Sequence, residues 1–192
     1  MRQPSLFSEQ ARAPLPADLA GVLCAHGQVL GFGRGVAARL SVVVGEPWRV
    51  AELARACALR DLAAERGTTE EGHPVLRTAF VSELVPLATA WTRGAVKSVP
   101  AGLALDGAML RLWAVAAGQR HGRGYLLGLD PHAPGMHEPL VRALAGAGLA
   151  SILLGPRGGG PALRITGRRR VARLAELVGE TPADAPVECW PG

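Results

Sequence analysis

An internal repeat constrains the fold of this chain more than any other feature. The run Pro74-Val-Leu-Arg-Thr-Ala79 aligns with Pro161-Ala-Leu-Arg-Ile-Thr166, which places Arg77 opposite Arg164. These runs begin 47 and 43 residues after Gly27 and Gly118, the glycines that end the first helix of each half. A unit of ~85 residues occurring twice points to two pseudo-symmetric lobes rather than a solenoid.

Hydrophobic periodicity fills in both units. Asp18 is a good N-cap for an apolar helix through Leu19, Val22 and Leu23 that stops at Gly27. Gln28–Phe32 and Ala38–Val44 are β-prone runs joined by Gly33, Arg34 and Gly35, a hairpin signal. Pro47 opens a second helix with Val50, Leu53, Ala54 and Cys57 at helical spacing. A weaker hairpin (Arg60–Arg66, Val75–Phe80) follows, and Ser82 caps a helix to about Trp91. In the second half, helices over Asp106–Ala117, His137–Gly148 and Arg169–Val178 alternate with a strand at Gly124–Leu129 and a hairpin of Ile152–Leu154 with Ala162–Thr166. The strand at Gly124–Leu129 has no evident hairpin partner. With that partner granted, both halves read αββαββα, an α+β fold with lobes at 17–95 and 96–180. Prolines and weak periodicity mark 1–16 and 181–192 as flexible tails.

The first helix reads Leu19-Ala-Gly-Val-Leu-Cys-Ala-His-Gly27. It resembles the signature nonapeptide of the LAGLIDADG homing endonucleases at its first three positions, its second Ala and its final Gly. The second lobe supplies Leu110-Arg-Leu-Trp-Ala-Val-Ala-Ala-Gly118, preceded by Lys97-Ser-Val-Pro100. This looks like the family's second copy, in which a Lys-x-x-Pro segment leads into a helix with Trp at its fourth position. The resemblance spans roughly residues 17–180. It implies a saddle in which the two motif helices pack along a pseudo-twofold axis and the sheets curve over duplex DNA. Ala20, Gly21 and Ala25 would face Ala114, Ala116 and Ala117 there, small residues permitting approach near the short end of the ~8–10 Å range for packed helices. Read without the repeat, the nonamer is an ordinary Ala/Gly-rich buried helix.

In active members of that family, the acid before the terminal Gly of each motif holds divalent metal. Hard cations need oxygen ligands, and two-metal cleavage needs charge stabilisation on the attacking and leaving oxygens. Those positions here are His26 and Ala117, and the motif's other acid is replaced by Cys24 and Val115. A methyl group cannot bind metal, and imidazole is a poor substitute for a carboxylate on Mg²⁺. The expectation is a non-cleaving relative with no metal and no cofactor, in the manner of WhiA-type regulators, which carry a degenerate LAGLIDADG domain. A residual nuclease using other acids and a protein–protein adaptor on the same scaffold are the alternatives.

Charge fits an anionic partner. The chain carries 21 Lys+Arg against 16 Asp+Glu, a net charge of +5. Lys97 is its one lysine, which reflects either a guanidinium preference for phosphate or a GC-rich genome. From Arg93 to Arg173, twelve basic residues face Asp106, Asp130 and Glu138, a local balance of +9. Strand alternation puts Leu163 and Ile165 on one face and Arg164 on the other. Arg77 and Arg164 are therefore assigned to the DNA-facing side, with Arg39, Arg120 and Arg123 as further candidates. Arg168, Arg169 and Arg170 open the last helix, where the dipole disfavours cations. Phosphate contact explains that placement, as does a solvated basic face. Aromatic residues are only 4% of the chain, so duplex binding is favoured over base stacking on single strands.

Near the N-terminus, Gln3-Pro-Ser-Leu-Phe7 resembles the pentapeptide by which bacterial replication and repair proteins dock on the DNA sliding clamp. Gln3, Leu6 and Phe7 would make that contact, although Pro4 departs from the commoner Leu. Three widely spaced cysteines (Cys24, Cys57, Cys189) argue against a disulfide framework or zinc site and for a reducing interior. With no membrane-length apolar run and no signal peptide, the expectation is a cytoplasmic, nucleoid-associated monomer. His132 and His137 share a Pro/Gly loop without a third ligand, and Gly158–Gly160 lacks the Lys-Ser/Thr of a P-loop.

Overall fold

The computed structural model describes residues 12–155, 157 and 160–192. A 3-10 turn over Pro16–Leu19 leads into α1 (Ala20–Cys24), β1 (Gln28–Phe32), β2 (Ala37–Val43), α2 (Pro47–Ala58), β3 (Ala64–Thr68), β4 (Pro74–Thr78) and α3 (Val85–Trp91). A short hairpin, β5 (Thr92–Arg93) with β6 (Val96–Lys97), joins the halves. The order then recurs as α4 (Gly107–Ala117), β7 (Gly118–His121), β8 (Gly124–Gly128), α5 (His137–Gly146), β9 (Ser151–Leu154), β10 (Ala162–Ile165) and α6 (Arg168–Val178). Both sheets are antiparallel and share one topology, β1-β2-β4-β3 and β7-β8-β10-β9. The fold is α+β, two αββαββα lobes.

The hairpin partner that the sequence hid is β7. Its four residues, Gly-Gln-Arg-His, carry no apolar alternation, and it starts on the glycine that ends α4. Elsewhere the chemistry is local. Asp106 accepts the Met109 N–H at 2.9 Å and caps α4. Pro47 occupies the first turn of α2, where its missing N–H costs nothing. In β2, Ala38, Leu40 and Val42 are buried while Arg39, Ser41 and Val43 face outward.

At the centre, α1 packs on α4. A Cβ added to Gly21 would lie 1.9 Å from the Met109 carbonyl oxygen and 3.0 Å from the Trp113 nitrogen, so the two backbones touch there. Leu23, Leu110, Trp113 and Val115 are fully buried around this contact, and Trp113 Nε1 donates to the Gly128 carbonyl at 2.8 Å. Sheets from both lobes cover one continuous core.

Several expected boundaries shift. Asp18 is not an N-cap; it lies inside the 3-10 turn, where its buried carboxylate accepts the Leu15 N–H at 2.8 Å. It also pairs with Arg60 at 2.7 Å and with Arg12, which reaches Asp106 at 2.6 Å. Residues 12–16 are thus pinned at the N-terminal ends of α1 and α4 rather than forming part of a tail. Ser82 begins a 3-10 turn without capping it, and its hydroxyl turns to Glu83. The C-terminal segment is packed as well. Tyr125 Oη donates to the Cys189 carbonyl at 2.8 Å, and buried Trp190 donates to the Gly179 carbonyl at 3.1 Å beneath the Arg111 guanidinium. Apolar anchors at positions 189 and 190 outweigh the prolines that suggested flexibility.

Candidate nucleic-acid interface

The strand registers define one open face per sheet, turned away from the helices. In the first lobe, Gln28 pairs with Ser41, Ser41 with Arg77, and Arg77 with Glu65, so these four side chains share a row. In the second, Gln119, Leu126, Arg164 and Ile152 form the corresponding row. Arg77 and Arg164 hold equivalent positions, as the repeated hexapeptide implies. Arg77 is exposed and Arg164 half-buried, and the buried Arg164 Nε has no hydrogen-bond partner among the described residues. Arg39 lies on the open face, its guanidinium 4.8 Å from the Phe80 ring.

Arg120 does not join them. It pairs with Tyr125, whose ring is buried on the helix side, so Gln119 takes the outward position. The strand begins one residue after α4 ends, and that single offset turns Arg120 to the opposite face. Arg123 sits exposed in the turn after Gly122. Arg168, Arg169 and Arg170 are exposed at the start of α6, and Arg170 Nη1 bonds the Thr166 carbonyl at 3.1 Å. Because Ile165 pairs with Tyr125, this cluster leaves the sheet at the same end as the Arg123 turn, at the outer rim of the second lobe. Ala20, Ala25, Ala114 and Ala116 are buried along the helix pair and Ala117 is half-buried. Gln3, Leu6 and Phe7 lie outside the described residues.

The motif helices end together at a groove of about 650 Å³ lined by His26, Glu46, His73, Asp130 and His132. A Cβ at Gly128 would stand 2.9 Å from the Ala117 Cβ and 3.6 Å from His26 Cε1, so both degenerate positions converge there. Cations hold the helix ends. Lys97 Nζ donates to the Ala25 carbonyl at 2.8 Å. Arg49, from α2 of the first lobe, donates to the carbonyls of Ala114 (3.2 Å), Val115 (2.7 Å) and Gly118 (2.8 Å) and pairs with Glu46. The Ala114 and Val115 carbonyls lie in the last turn of α4, at the negative end of its dipole, and that of Ala114 also accepts the Gly118 N–H.

One buried acid adjoins this end. Asp130 accepts from Lys97 Nζ at 3.1 Å, Gln28 Nε2 at 2.6 Å and the His132 N–H at 2.9 Å. Burial opposes its ionisation, but Lys97 and the two N–H donors outweigh burial and hold its pKa below the ordinary carboxylate value. Burial lowers the Lys97 pKa against the pull of Asp130. Desolvation in the groove lowers that of His26, whose ring still reaches solvent. Among the described residues no three His, Cys, Asp or Glu side chains converge as metal ligands. With the Asp130 oxygens already engaged, the donor set does not fit a hard dication.

Arg49, Asp130 and the capping role of Lys97 escape sequence reasoning. The signals were a single basic residue on the apolar stripe of α2, an acid directly after a buried strand, and the chain's one lysine.

No family model matches the sequence, and no curated protein matches it significantly. Solved structures do. The homing endonuclease I-WcaI bound to its DNA recognition sequence is similar over 90% of this chain and 84% of its own, at 12% identity and a TM-score of 0.60. The N-terminal LAGLIDADG domain of WhiA is similar over 86% and 82%, at 12% identity and a TM-score of 0.55. Full-length WhiA from Thermatoga maritima is also similar, with 12% identity and a TM-score of 0.58, and the match spans 55% of that longer chain. At such identities likeness establishes architecture, and the architecture is plain: this chain has the LAGLIDADG homing endonuclease-like fold, with both motif helices in place and neither ending in an acid.

Proposed function

We propose that this protein binds duplex DNA across the open faces of its two sheets without cutting it. One observation carries the reading: Arg77 and Arg164 stand at equivalent register positions on those faces, in a fold that I-WcaI uses around its recognition DNA. The basic rim at Arg123 and Arg168–Arg170 favours phosphate contact. Absence of cleavage is supported by His26 and Ala117 at the acid positions and by the engagement of Asp130. The role that fits is transcriptional control or DNA replication and repair by a cytoplasmic, nucleoid-associated monomer. No helix among the described residues is long and apolar enough to cross a membrane.

Tethering to the sliding clamp through Gln3, Leu6 and Phe7 belongs to the same proposal. Arg12 is fixed by Asp18 and Asp106 at the N-terminal ends of the helix pair, whereas the groove lies at their C-terminal ends. Deleting residues 1–8 should abolish capture on immobilised clamp, and equal recovery would remove the tether.

Mobility shift with duplex DNA tests the central reading. Affinity should fall steeply with salt, because each neutralised phosphate releases counterion. Arg77→Glu with Arg164→Glu should abolish the shift while leaving the fold intact. Unaltered affinity would overturn the assignment of the open faces, and nicking of plasmid in Mg²⁺ or Mn²⁺ would overturn the non-cleaving reading. A protein-adaptor role is favoured by one feature, exposed Leu30, Phe32 and Phe80 on the first lobe's face. Absence of any shift would support it.

A further inference from the structure

The open faces of the two lobes are chemically unlike. In the first lobe, Leu30 is 56%, Phe32 62% and Phe80 38% exposed. The two rings pack at 5.3 Å between centroids, with Arg39 over Phe80. Counting two residues along from Gln28 and Gln119, the place of Leu30 is taken in the second lobe by His121, where β7 ends. Phe32 therefore has no counterpart: the second lobe's open face carries Leu126 and the exposed Ile152 beside Arg164 but no aromatic pair, so an aromatic apolar strip is described on the first lobe's face alone.

We infer that this strip reads thymine: Leu30, Phe32 and Phe80 are specificity-determining residues that contact thymine methyl groups in the major groove. The inference rests on the duplex-DNA reading above. Its occupant is chosen by complementarity. The strip is apolar at its centre and flanked by the guanidinium groups of Arg39 and Arg77 on the same face. A partner that fits presents methyl groups between lines of anions, which is what the major groove of A·T-containing duplex offers. A two-stranded ribbon such as β1–β2 has the dimensions to enter that groove. Burying exposed phenylalanine against methyl groups is favourable, whereas hydration leaves that apolar area in water. The second lobe offers Gln119, His121 and Arg164 beside the aliphatic Leu126 and Ile152, a mixed face in which hydrogen-bonding groups can reach base edges and phosphates. The preferred target is accordingly asymmetric, with A·T pairs under the first lobe.

Substituting the DNA rather than the protein gives the cleanest test. Fluorescence anisotropy of the full chain is measured with short duplexes of alternating dA and dT, and with the same duplexes carrying dU in place of dT. Loss of the methyl groups should weaken binding about fourfold or more, the effect of one or more buried methyls. Leu30→Ser with Phe32→Ser should lower affinity for the dT duplex to that for the dU duplex and leave the latter unchanged. Both side chains are exposed, so the fold tolerates the change, which a thermal melt verifies. Equal affinity of the unaltered protein for dT and dU duplexes overturns this inference and leaves duplex binding standing. A dT preference that survives the double substitution overturns the assignment to these residues. Failure to bind any duplex removes the DNA reading itself, and this inference with it.

Discussion

At Gly21 the backbones of the two lobes touch. Any side chain there meets the Met109 carbonyl, whereas a Cβ on Gly31 meets nothing within 4 Å. Gly21→Ala should cost about 3 kcal/mol or prevent folding by overpacking, while Gly31→Ala should be neutral or slightly stabilising; urea denaturation of both separates packing from composition. Asp18 and Asp130 make the second residue-scale prediction. Burial opposes ionisation of both. Around Asp18 the Arg12 and Arg60 guanidinium groups and the Leu15 N–H outweigh it, and around Asp130 the Lys97 ammonium and its N–H donors do. Both folded pKa values lie below the ordinary carboxylate value of 3.8. Their stabilisation is complete above that value and is lost as pH falls through the lower folded values. Urea midpoints should hold between neutrality and mild acid and then drop, and Asp18→Asn should start lower and drop less. None of this network was legible in the sequence beyond a candidate N-cap at Asp18, because its cations come from positions 12, 60 and 97.

Element by element, most of the architecture could be read from periodicity. Gln28–Phe32 is legible to the residue, and α4 is delimited by Asp106 and Gly118. What failed was β7, a polar strand with no alternation, and with it the orientation of Arg120; the strand expected from Arg60 also starts only at Ala64, because the N–H groups of Leu59, Arg60 and Leu62 still bond back to α2. Face assignments depend on register, and register near a helix end is set by where the helix stops. The ends of α1 and α4 give the prediction at this scale. Replacing Arg49 by Met leaves three buried carbonyls and Glu46 without their cation and should cost about 3 kcal/mol. Lys97→Met and Asp130→Asn should each destabilise, and the double variant should lose less than their sum by about 1 kcal/mol or more. Additive losses in denaturant titrations would show the two residues to be uncoupled.

On the scale of the whole molecule, the halves share a core instead of merely touching. Residues 17–95 alone would expose the face of α1 that α4 covers, so this fragment should show no cooperative unfolding transition by circular dichroism. The C-terminal segment closes the second lobe, and Trp190→Ala should cost about 3 kcal/mol by leaving a cavity over Arg111. The repeat announced the duplicated plan, since two copies of one pattern need a common partner surface. The cross-lobe grip of Arg49 on the end of α4 has a mechanical consequence. To swing one lobe against the other, a buried guanidinium must be stripped from the Ala114, Val115 and Gly118 carbonyls, so the molecule should behave as a stiff clamp rather than a hinge.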